Sequence, residues 1–158
     1  MSTTARDIRR LAFQALFQLD AMGDAEPDTV RASVETMNAE ADHPLAARDA
    51  RRAFDLALAA FRERRAADAM VAELAPTWPA HRQPAADRAI LRLAIHEMTS
   101  GRTGAKIAVN EAIELAKRFS TDRSPAFVNG VLDKVLKQVL AAQSNVGVDA
   151  TGGEVSSG

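Results

Sequence analysis

Between residues 128 and 140 the aliphatic side chains fall at Val128, Val131, Leu132, Val135, Leu136, Val139 and Leu140. Steps of three and four make one stripe of an α-helix, whereas a half-buried strand would alternate. The same period returns four more times. It runs through Ile8, Leu11, Ala12, Ala15, Leu16 and Leu19, then through Ala50, Phe54, Ala57, Leu58 and Phe61. It appears again in Ile90, Leu91, Ala94, Ile95 and Met98, and in Ala108, Val109, Ala112, Ile113, Ala116 and Phe119. Five amphipathic helices in 158 residues can bury their stripes only against one another, in a single aliphatic core. Alanine, leucine and arginine dominate, tyrosine is absent and tryptophan occurs once, which agrees with an all-α fold.

Helix signals divide the chain. Thr3 or Thr4 can cap a first helix that Gly23 ends, and Pro27 opens a second, acidic one that fades before Pro44. A third helix is expected from Leu45 to Arg65 and a shorter one from Ala67 to Leu74. Residues 75–84 hold three of the six prolines and read as a fixed elbow, with Trp78 as a plug lying across two halves. Three helices follow, over about 85–99, 105–119 and 125–142, with Gly101 and Gly104 breaking the chain and Ser124-Pro125 restarting it. The architecture predicted is a compact bundle of about seven helices in two three-helix-like halves. It forms a single domain over residues 1–143, followed by a small, polar, glycine-rich and disordered tail over 144–158.

Several function classes drop out. No cysteine is present, so disulfides, thiolate metal sites and cysteine nucleophiles are excluded. No run of about 18 apolar residues and no signal-peptide core occur, which predicts a cytoplasmic protein. His43, His81 and His96 stand in no metal-ligand spacing, and GRTGAK at 101–106 lacks the spacing of a phosphate-binding loop. No nucleophile has a base at a matching spacing, so the chain does not read as an enzyme and no cofactor is expected. Net charge is only −1, yet residues 21–43 carry six acids against Arg31, and residues 102–140 carry seven basic against four acidic side chains. An acidic flank and a basic flank suit two kinds of partner; a mixed solvated surface is the simpler reading.

Two places stand out on helical projection. Phe127 lies about 120° from the centre of its stripe, with Lys134 on the same side and Gly130 leaving the surface between them bare. A ring beside a cation can hold an unstacked base; it can equally pack on a neighbouring helix. On the first helix Arg6, Arg10, Phe13 and Phe17 fall within about 60° of one another, opposite the aliphatic stripe, and Arg9 lies on the flank. Arginines there can hold phosphate while the phenylalanines meet a protein partner, unless the helix is buried nearly all round. Lys117 and Arg118, ending one helix near the start of the next, could extend the basic surface around Phe127. Glu114 and Arg118 are expected to form an i, i+4 surface bridge.

The segments RRLAFQALFQLD at 9–20, DRAILRLAIHEM at 87–98, KIAVNEAIELAKRF at 106–119 and FVNGVLDK at 127–134 together resemble the NusB family of bacterial transcription antitermination factors. The resemblance extends over roughly residues 5–140. It implies an all-helical RNA-binding adaptor that pairs with the ribosomal protein NusE. The pair would bind boxA RNA of ribosomal RNA leaders and help RNA polymerase pass terminators. Carried over by position, it implies RNA contacts at Arg6, Arg9, Arg10 and Phe127, joined by Lys117, Arg118 and Lys134. It implies NusE contacts at Phe17 and Asp87, with Phe13, Asp122 and Arg123 beside them. The sequence departs from the family where Asp7 interrupts the basic start, where Phe17 replaces the usual tyrosine, and where Arg123 follows Asp122 in place of a second acid. Two alternatives remain: a helical scaffold that forms a homodimer, and a stand-alone domain like the RNA-binding part of a ribosomal RNA methyltransferase.

Overall fold

The computed structural model describes the backbone of residues 3–22 and 26–156, and the side chains of residues 4–22 and 26–144. Seven α-helices follow in order: α1 (Thr3–Met22), α2 (Pro27–Ala39), α3 (Ala47–Arg62), α4 (Arg64–Leu74), α5 (Ala85–Ser100), α6 (Ala105–Phe119) and α7 (Ser124–Ser156). One short 3-10 turn, Ala80–Arg82, lies in the elbow. Among the described residues there is no strand.

The helix ends follow local chemistry. Pro27 occupies the first turn of α2, where its missing N–H costs nothing. Gly101 closes α5 at φ +74°, in the left-handed region open to glycine. The third helix begins two residues later than expected and stops at Glu63, after which α4 starts at once. Gly23 lies outside the described residues. Where composition predicts a disordered tail from Ser144, the helical backbone of α7 runs on to Ser156. Among the described side chains, Val139 is the last one packed against the core.

α1, α2 and α3 pack together, as do α5, α6 and α7, and α1 and α3 meet α5 across the middle. The two three-helix halves share one core, with Leu16, Ile90, Leu91, Leu93 and Leu132 among its fully buried side chains. Arg92 of α5 fastens the joint. It donates to Asp20 of α1 at 2.8 Å and forms a two-pronged pair with Asp68 of α4 at 2.8 and 2.6 Å.

Candidate nucleic-acid interface

One turn apart on α1, Arg6 and Arg10 face the last turns of α6. With Lys117, Arg118 and Phe119 they line an open groove of about 430 Å³. Their charges are held loosely. Arg6 donates to Glu111 at 3.2 Å while its side chain stays 61% exposed. Arg10 pairs with Asp7 at 3.3 Å, and Lys117 with Glu114 at 3.2 Å. Glu114 therefore takes Lys117 at i+3, not Arg118 at i+4. Arg118 lies over the Phe119 ring, 5.0 Å from its centre. The Lys117–Glu114 pair is exposed on both sides, and such pairs contribute about 0–1 kcal/mol. A phosphate oxygen can therefore displace that carboxylate at little cost, whereas the carboxylate that holds Arg6 is buried.

Arg9 touches this groove's wall, but its guanidinium is committed elsewhere. It is buried, and its guanidinium grips Glu97 of α5 through two bonds of 2.9 and 2.6 Å. The Thr103 hydroxyl donates to the same carboxylate at 2.6 Å and accepts from Arg9 at 3.3 Å. The flank of α1 on which Arg9 stands is where α5 and the turn after it close over the helix. The phosphate contact expected of Arg9 is thus corrected: its charge is already matched inside the protein. Glu97 and its neighbour His96 diverge on α5, and His96 finds Glu63 at 2.9 Å instead.

The aromatic face of α1 divides as well. Phe17 is 40% exposed. Phe13, expected beside it on the surface, is buried against Phe119 of α6, with ring centres 5.1 Å apart. α6 covers the first half of that face and leaves the second half open, so Phe13 cannot meet a partner. Asp87, expected to face a partner, is also buried. It accepts a short hydrogen bond from the Ser120 hydroxyl. Ser120 in turn contacts the buried Ser124 hydroxyl at 2.9 Å, and Thr121 donates its N–H to that oxygen at 3.2 Å. Asp87 therefore anchors the turn between α6 and α7 and shapes what that turn presents. Asp122 and Arg123, at its tip, are exposed.

Phe127 stands half-buried at the edge of α7. Its ring meets Trp78 edge-on, with centres 6.2 Å apart. Trp78 is 42% exposed, so it is not a plug across the halves; the prolines of the elbow hold it at the surface, against one helix. Lys134 is exposed, and its amine donates to the Leu74 carbonyl at 3.2 Å, tying α7 to the end of α4. Arg6, Arg10, Lys117 and Arg118 thus share the α1–α6 groove, while Phe127 and Lys134 belong to a separate corner on α7. Among the described residues no cluster of three or more histidines and acids could hold a metal ion, and no helix is long and apolar enough to cross a membrane.

The NusB family model matches residues 6–137. The chain belongs to the NusB family. One NusB-family relative, the transcription antitermination protein NusB of Symbiobacterium thermophilum, is 41% identical over 141 residues, covering 87% of this chain and 92% of the relative. That of Roseiflexus sp. (strain RS-1) is 38% identical over 141 residues, covering 87% and 95%. A solved structure of T. maritima NusB superposes with a TM-score of 0.72 at 28% identity, covering 87% of this chain and 93% of that one. A structure of the antitermination factors NusB and NusE in complex with dsRNA gives a TM-score of 0.73 at 22% identity, covering 87% and 99%, and shares the fold.

Sequence reasoning missed three groups of this NusB-family chain. These are the Arg9–Glu97–Thr103 cluster, the Asp87–Ser120–Ser124 anchor and the surface position of Trp78. The one signal available for the first two was a charged residue at each end of α5, a helix whose other side chains are mostly apolar.

Proposed function

We propose that this protein is a non-enzymatic transcription antitermination factor of the cytoplasm. It binds boxA RNA of ribosomal RNA leader transcripts together with NusE, and so promotes read-through by RNA polymerase. The working unit is residues 1–143, with the stretch from Ser144 a tail outside it. Membership of the NusB family supports the role, and one observation of this chain carries the RNA reading. Arg6, Arg10, Lys117 and Arg118 converge on one groove in a protein whose net charge is −1. Phe17 and the exposed pair Asp122 and Arg123 serve the NusE side.

Salt dependence tests it. Each phosphate contact to a single strand adds about 0.7 to the slope of log affinity against log salt. The double variant Arg6→Ala, Arg10→Ala should flatten that slope for boxA RNA by about 1 to 1.5. An unchanged slope would remove the groove from the RNA surface. A concentration-dependent dimer that ignores RNA would favour the homodimeric scaffold.

A further inference from the structure

Gly130 lacks a reason inside this chain. A glycine in mid-helix costs roughly 1 kcal/mol against alanine. Its φ is not in the left-handed region, and a Cβ built on it would meet nothing within 4 Å. Neither backbone geometry nor packing calls for it, which leaves an object outside the chain. Gly130 sits one turn beyond Phe127, beside the corner where Trp78 presents its ring.

We propose that Trp78 and Phe127 form a two-walled corner that takes one unstacked RNA base, with Gly130 keeping its floor clear. The inference rests on the RNA-binding reading above and extends it to a residue that projection of α7 alone could not supply. Two rings meeting edge-on at 6.2 Å offer two faces at a steep angle, 66° between planes. A base stacked on one face lays its edge against the other. The corner is built in advance. Pro76, Pro79 and Pro84 restrict the elbow, and the buried Gln83 amide donates to the Trp78 carbonyl at 3.1 Å. Lys134 ties α7 to the end of α4, just before the elbow, and puts a cation on the same side of α7 as Phe127. These features favour a nucleobase over an apolar peptide: the tryptophan face is exposed, and a lysine stands on the same side of α7 as Phe127.

Trp78 is the only tryptophan, so its fluorescence reports this corner directly. The full chain is titrated with single-stranded boxA RNA, with and without NusE. Emission should fall saturably with RNA. Trp78→Ala should bind about 5- to 150-fold more weakly, the range measured for loss of one stacked base. Gly130→Leu should also weaken binding at least about fivefold while melting no lower than the parent. If emission and both variants are unmoved while Phe127→Ala still weakens binding, the corner is wrong and the RNA face stands. If no RNA binds in either condition, the proposed function fails and the corner with it. Emission that responds to NusE but not to RNA would make the corner a protein contact and overturn the proposal.

Discussion

Replacing Arg9 by alanine would leave Glu97 as a buried carboxylate with the Thr103 hydroxyl as its remaining described side-chain donor. Breaking one side of such a pair typically costs about 3–5 kcal/mol. Arg9→Ala should therefore lower the unfolding midpoint sharply in denaturant melts, whereas Lys117→Ala, which breaks a pair exposed on both sides, should cost no more than about 1 kcal/mol. Equal effects would show that the buried pair contributes nothing special. Projection of α1 placed Arg6, Arg10 and Phe17 correctly, because their surroundings are set by the helix itself and by solvent. It put Phe13 on the open face, and the family resemblance put Arg9 at the RNA surface; both miss because the environment comes from Phe119 and Glu97, 106 and 88 residues further along. No periodicity within twenty residues contains that information.

Asp20, Asp68 and Arg92 show how elements rather than residues are held. Three helices meet at one guanidinium, and one Asp20 oxygen, Oδ2, is buried with no hydrogen-bond partner. Burial raises the Asp20 carboxyl above the usual carboxylate range, against the opposing pull of Arg92. The folded protein therefore favours the protonated acid. Its contribution to stability is complete below the unfolded value of about 3.9 and is lost as pH rises through the folded one. Asparagine keeps an acceptor for Arg92 and does not titrate, so Asp20→Asn should gain stability relative to the parent as pH rises from the unfolded value of about 3.9 through the raised folded one. A pH-independent difference in thermal melts would remove Asp20 as the source. The helices themselves were legible from apolar spacing, proline and glycine, which act locally. The α3–α4 boundary was less so, since no proline or glycine marks Glu63.

For the molecule as a whole, the exposed Phe17 ring sets the clearest test of partnership. Phe17→Asp should leave a soluble, helical, cooperatively melting protein, because the ring lies outside the core. It should abolish binding of NusE in calorimetry, since a carboxylate desolvated at an interface centre commonly costs several kcal/mol. A variant that fails to fold would place Phe17 in the interior and end the partner-face reading. The central position of α1 has a consequence for synthesis. α1 is made well before α5, the helix it packs against in the second half of the chain, and Glu97 follows Arg9 by 88 residues. At about 5–20 residues per second, that is roughly 4–18 s in which α2 and α3 alone can shelter its apolar stripe. Until α5 arrives, the nascent protein lacks the Glu97 side of this pair and keeps part of its core uncovered, a state suited to capture by a chaperone.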